Sequence, residues 1–195
     1  MPSKIGKNNP FGIERKMVLE ALKESSDAMS FFIKEFKNKY DVKLSGKLLS
    51  ETFSNLLEQI CAKVFSKHLG YSVIKAKSDN DPDLLFTKIK MPMEIKVTSG
   101  MIWRGGEFSK RASYHLMVSR NDTFDEFFVA LVNMDTGKGL WVSSMQQGKN
   151  YYAPSFKKDQ LYKLKDKIPI FVGDVRKTAR GTIKLELENL TQKTL

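Results

Sequence analysis

The chain has 195 residues, enough for one domain with a substantial core, and its 41% apolar content is ordinary for a globular protein. With 33 Lys and Arg against 22 Asp and Glu, the formal net charge is +11, an excess that favours a polyphosphate partner, nucleic acid above all. A single cysteine excludes an internal disulfide and a cysteine-cluster zinc site, and no apolar run is long enough to span a bilayer. The polar, lysine-bearing start Met1-Pro2-Ser3-Lys4-Ile5-Gly6-Lys7 lacks the apolar core of a secretory signal, so the cytoplasm is the expected compartment.

Residues 1–12 read as a basic, flexible arm that could reach along DNA or have no role. Val18, Leu22, Met29, Ile33, Phe36 and Tyr40 then recur at helical spacing, with Ser25-Ser26 a point at which the segment could divide into two helices. From about residue 47 to 69, Leu49, Phe53, Leu56, Leu57, Ile60 and Val64 share a helix face, and Gly70 is placed to end it. The other face carries Glu51 and Glu58, about 20° apart around the axis, so one or both could look toward the same neighbour. Cys61 sits among Leu57, Ile60 and Val64 as a buried helical residue and not as a nucleophile. His68 and His115 lack metal-binding spacing and read as structural or substrate-contacting.

Beyond this helix the pattern changes to strands: 71–75, 84–89, 93–98, 116–118 and 127–132. Another is expected at 139–143, Ser155 could cap a short basic helix through Lys165, and 168–172 with 182–187 reads as a closing hairpin around Arg180-Gly181. No repeat or domain boundary interrupts residues 13–195. These elements predict an α/β fold in one domain, built around a central mixed β-sheet.

Two of the strands carry the chemistry, because Pro82-Asp83 and Glu94-Ile95-Lys96 set two carboxylates and an amine on adjacent segments. In an extended strand Glu94 and Lys96 share one face while Ile95 points into the core. Mg²⁺ prefers oxygen ligands, keeps several waters and needs only one or two protein carboxylates, so Asp83 and Glu94 would suffice. Lys96 would position or deprotonate the attacking water and offset charge in the transition state. A cross-strand surface charge pair uses the same residue types, but here Glu94 and Lys96 interrupt apolar strands in the middle of the expected core.

Pro82-Asp83 with Glu94-Ile95-Lys96 resembles the signature of the PD-(D/E)XK nuclease superfamily. The segment Trp103-Arg104-Gly105-Gly106-Glu107-Phe108-Ser109-Lys110-Arg111 leading into Tyr114 to Ser119 is similar to segments that come after the lysine in type II restriction endonucleases. The resemblance covers roughly residues 46–134 and implies a restriction-endonuclease-like fold with helices flanking the sheet. It also implies Mg²⁺ held by Asp83, Glu94 and the main-chain carbonyl of Ile95, support from Glu51 or Glu58, and 5′-phosphate products. A sequence-specific enzyme of this kind cuts double-stranded DNA as a homodimer and has a cognate DNA methyltransferase as genetic partner. The alternatives are a structure-selective nuclease of the same superfamily, a resolvase or repair enzyme, and a non-catalytic basic nucleic-acid-binding module.

For holding DNA, Arg104, Ser109, Lys110 and Arg111 are the candidate phosphate contacts, with Gly105 and Gly106 allowing close approach. Trp103 reads as core in preference to base stacking, and Met101-Ile102 as buried in preference to a wedge between bases. Arg120, Asn121, Asp122, Gln146, Gln147, Lys149 and Asn150 are the candidates for reading base edges.

Overall fold

The computed structural model describes residues 9–76, 78, 81–100, 103 and 112–133, and the backbone of strands at 141–146, 149–154, 169–177 and 183–186. The first helix, α1 (Arg15–Tyr40), is continuous. Ser25-Ser26 does not divide it: the Ser25 hydroxyl donates to the Ala21 carbonyl one turn back (2.7 Å), and the Ser26 hydroxyl to the Phe124 carbonyl (2.6 Å). Both serines are buried with their hydroxyl groups hydrogen-bonded, so the helix carries them without a break. α2 (Gly46–Leu69) opens on Ser45, whose hydroxyl accepts the Leu48 N–H, and closes on Gly70 in the left-handed conformation with its N–H on the Ser66 carbonyl.

Nine strands come next among the described residues: β1 (Val73–Lys75), β2 (Leu84–Phe86), β3 (Met91–Thr98), β4 (Tyr114–Arg120), β5 (Glu126–Asn133), β6 (Trp141–Gln146), β7 (Lys149–Pro154), β8 (Pro169–Lys177) and β9 (Ile183–Glu186). Seven form one sheet in the order β1-β2-β3-β4-β5-β8-β9, and β6 with β7 forms a separate hairpin. β3 and β4 run parallel while the other neighbours in the large sheet are antiparallel, so the sheet is mixed and the class is α/β. The expected closing hairpin is present as β8 and β9. Gln146, Lys149 and Asn150, candidates for reading base edges, lie on strands, with Gln146 paired to Lys149 and Met145 to Asn150. Polar side chains concealed a pairing made by backbone. The basic helix expected from Ser155 to Lys165 lies outside the described residues.

Strand alternation divides the large sheet into two faces. Met93, Ile95, Leu116, Val118, Val129 and Leu131 turn toward α1 and α2 and share one core with them. Glu94, Lys96, His115, Met117, Phe128 and Ala130 turn the other way. Both described helices therefore pack on one face, whereas the expectation was of helices flanking the sheet. Trp103 is core, as expected: it packs 5.9 Å from the Phe128 ring, on the second face, and its indole N–H donates to the Val118 carbonyl.

Of the arm expected at residues 1–12, residues 1–8 lie outside the described residues, and the end of it is packed against the fold. Phe11 is buried, 4.5 Å from the ring of Phe86 and 4.9 Å from that of Tyr114, because removing an aromatic ring from water outweighs the freedom lost at the terminus. No described helix is long and apolar enough to cross a membrane.

Phe53 on α2 is fully buried between the rings of Phe124 and Phe127, while Phe31 on α1 is 67% exposed. Phe53→Ala is expected to cost about 3–5 kcal/mol in chemical denaturation. Phe31→Ala should change stability by only about 0.5 kcal/mol, and an equal loss at both positions would contradict this core.

Candidate active site

The antiparallel ladder of β2 with β3 pairs Phe86 with Met91, Leu85 with Pro92 and Leu84 with Met93, and then stops. Continued by two residues, it would set Ile95 against Pro82. A hydrogen-bonded pair of this kind exchanges two N–H to carbonyl bonds, and proline has no N–H. The strands part here, although Asp83 stays tied to the hairpin through its own carbonyl, which accepts the Ala76 N–H at 2.9 Å. Its carboxylate takes the Ile95 N–H at 2.6 Å, where a backbone carbonyl would otherwise sit. In a strand the N–H and carbonyl of one residue point to the same side, so the Ile95 carbonyl faces the gap that Asp83 occupies.

Asp83 comes one residue past the last pair of the ladder, beside Glu94, whose side chain lies on the sheet face away from the helices. Glu94 is buried, Lys96 is half-buried two residues along the same face, and the Lys96 ammonium donates to Glu94 Oε1. Burial, and after it the Glu94 charge, pushes the Asp83 carboxyl up to about 7; Lys96 and the Ile95 N–H pull the other way, and Glu58 adds a further upward push. Negative charge at this corner exceeds what its lysine neutralises. The surplus, with the inward-facing Ile95 carbonyl, suits a hard divalent cation of the Mg²⁺ kind. Among the described residues no three His, Cys, Asp or Glu side chains are grouped to hold a metal, and Mg²⁺ does not require such a cage.

The two helical glutamates separate. Glu58 is largely buried, accepts from Ser54 at 3.3 Å and pairs with Lys75 of β1 at 3.1 Å, near enough to Asp83 to raise its proton affinity. Glu51 is exposed and reaches only Lys47, at 3.8 Å. Although the two share an azimuth, seven residues place them about 10 Å apart along the axis, and only Glu58 lies level with the strand ends. Lys75 is absent from the sequence-based candidates. Its signal was alternation: in Val73-Ile74-Lys75 the lysine takes the helix-facing side with Val73, where a charge needs a partner.

Two candidate DNA contacts are engaged elsewhere. Arg120 is buried on the helix-facing side of β4, opposite the carboxylates, where its guanidinium donates to Ser50 (2.6 Å) and the Asn121 carbonyl (3.1 Å) and lies 4.3 Å from the Phe124 ring centroid. Burial lowers its pKa, against the pull of Asp122. Asn121 closes the turn before β5, its side-chain oxygen accepting the N–H groups of Asp125 and Glu126 and its amide donating to Asp125. Both side chains are engaged in holding the fold together, Arg120 buried and Asn121 part-buried. Arg104, Ser109, Lys110, Arg111, Met101, Ile102 and Gln147 lie outside the described residues.

His115 is fully buried on β4 and pairs in register with Glu94, a closeness its sequence position did not reveal. His68 Nε2 lies 2.6 Å from Glu20 of α1, a structural link between the two helices. Cys61 is fully buried, and burial, with Glu58 nearby, holds its thiol far from ionisation. A cleft of about 630 Å³ at the connection of α1 and α2, lined by Ile33, Val42, Leu44 and Leu49 with Asp41 and Asp122, holds none of the motif residues. Comparison with known proteins finds no matching family model and no matching curated relative.

The raised Asp83 pKa has a consequence in the metal-free protein. Between the ordinary value of 3.8 and about 7, the unfolded chain has lost a proton that the folded chain keeps, so this group makes stability fall as pH rises through the window. Urea denaturation in the presence of a chelator should therefore show a flatter pH dependence for Asp83→Asn than for the parent over this interval. Identical slopes would put Asp83 in the ordinary carboxylate range.

Proposed function

We propose that this chain is a Mg²⁺-dependent DNA endonuclease with a restriction-endonuclease-like fold, a sequence-specific type II restriction enzyme that leaves 5′-phosphates. The observation that carries the reading is the Asp83 carboxylate seated on the Ile95 N–H where β2 and β3 part, beside the Glu94–Lys96 pair. Asp83, Glu94 and the Ile95 carbonyl would hold the cation, which supplies Lewis acidity toward the phosphate and lowers the pKa of bound water. Lys96 positions the attacking water and offsets charge growing on the phosphate oxygens. Attack at phosphorus breaks the bond to the 3′ oxygen. Glu58, oriented by Lys75, keeps a third carboxylate close to Asp83.

The net charge of +11 supports a double-stranded DNA substrate, and cutting both strands of a symmetric site calls for a homodimer. A sequence-specific enzyme working in the cytoplasm beside the chromosome needs a cognate methyltransferase. A structure-selective nuclease of the same superfamily, a resolvase or repair enzyme, is the second reading, favoured by the exposed apolar side chains Ile74 and Leu85 close to the carboxylates.

Plasmid digestion with and without Mg²⁺ tests the reading. Discrete fragments support restriction, nicking at branched or unpaired DNA supports the second reading, and salt-sensitive binding without cleavage leaves a binding module. Asp83→Asn, Glu94→Gln and Lys96→Ala should each lower the cleavage rate by about 10²-fold or more. Glu58→Gln should slow cleavage while Glu51→Gln leaves it unchanged, and equal effects at the two glutamates would contradict the geometry.

A further inference from the structure

On the face that carries Glu94, beside Asp83, the adjacent cross-strand row is apolar. Ile74 pairs with Leu85 and Leu85 with Pro92, so three strands contribute one side chain each to a shelf two residues, about 7 Å, from the carboxylates. Ile74 and Leu85 are 45% and 43% exposed, unusual for a row so close to buried charge. Together with Pro92, Pro82, Asp81 and Lys75 they line an open cleft of about 300 Å³. Past the shelf, the turn that joins β2 to β3 carries Lys88 and Lys90, both exposed, the former five residues or about 17 Å from Asp83.

A phosphodiester seated at the carboxylates therefore has an apolar surface on one side and, farther along, two cations. The parts of a nucleic acid that match an apolar shelf are base faces, and a base offers its face only when it is out of the stack. A continuous duplex keeps those faces covered and would lay charged backbone over the half-exposed apolar side chains of Ile74 and Leu85. Resting on the second, structure-selective nuclease reading above, we propose that the shelf of Ile74, Leu85 and Pro92 receives an unstacked base next to the scissile phosphate. Lys88 and Lys90 hold backbone phosphates farther along the same strand. The substrate class is then DNA with an unpaired strand at the cut, such as a flap, a frayed end or an overhang.

The test is equilibrium binding by fluorescence anisotropy in the presence of a chelator, with one short oligonucleotide offered single-stranded and as its duplex. The parent protein should prefer the single strand. Ile74→Asn/Leu85→Asn should weaken single-strand binding about tenfold and leave duplex binding unchanged, and Leu85→Phe should strengthen it. Since both side chains are exposed, neither substitution removes core packing. 2-Aminopurine in the single strand should change its emission on binding to the parent and much less with the double variant. Equal losses on both substrates, or no loss, would overturn the proposal; so would loss of self-association, by sedimentation, with single-strand binding intact. Because binding is read without metal, the two readings fail separately. Shelf-dependent binding with no cleavage in Mg²⁺ removes the nuclease reading alone, and cleavage with single-strand binding unchanged in the double variant removes the shelf alone.

Discussion

The ladder between β2 and β3 ends at Leu84 and Met93 because the next residue in register with Ile95 is Pro82, which has no N–H to exchange. The loss would leave the Ile95 N–H unsatisfied in a largely buried place, at a cost of about 1–3 kcal/mol. Asp83 meets that demand with its carboxylate, so one side chain is fixed by a backbone donor alone. The Ile95 carbonyl, deprived of the same partner, is left facing the gap. One missing hydrogen thus positions a carboxylate, frees a carbonyl and opens the space between them.

Charge at this corner runs against the charge of the molecule. The chain as a whole carries +11, yet Asp83 is driven toward its neutral form by burial and by two other carboxylates. The two features act over different distances. Exposed lysines attract a polyanion across roughly a Debye length, about 8 Å at physiological salt. Buried carboxylates act over a few ångströms in a weaker dielectric, where they repel phosphate unless a cation lies between. The whole-chain excess of positive charge and the acidic corner thus act at different ranges on anything that approaches.

Much of the fold was legible because its elements carry strong local signals. Helix α2 announced itself through Leu49, Phe53, Leu57 and Val64 on one face and Gly70 at its end, and β3 through alternation. The motif residues were legible for the same reason, since their strands predict which of them share a face. What was not legible depends on partners distant in sequence. Ser25-Ser26 looked like a break because nothing local shows that Ser26 will meet the Phe124 carbonyl, 98 residues on. Glu51 and Glu58 looked equivalent because helical azimuth is local, whereas the height of each along the axis relative to the sheet is set by packing. Arg120 looked like a DNA contact because its guanidinium suits base edges; its partner Ser50 lies 70 positions away.

The site's precision comes from hydrophobic burial more than from its own hydrogen bonds. A slip of one residue between β2 and β3 would turn Met93 and Ile95 out of the helix-facing core and bring Glu94 and Lys96 into it, exchanging apolar burial for buried charge. Leu84, Met93 and Ile95, each almost wholly buried, exclude that slip. With the register held, Asp83 must come beside Glu94, and Lys96 must lie on the same face as Glu94. Arg120 obeys the same parity from the other side: at an even position on β4, where even numbers face the helices, it is drawn away from the carboxylates and into the packing against α2. The face that joins the helices thus sets the register, and the opposite face carries what that register brings together.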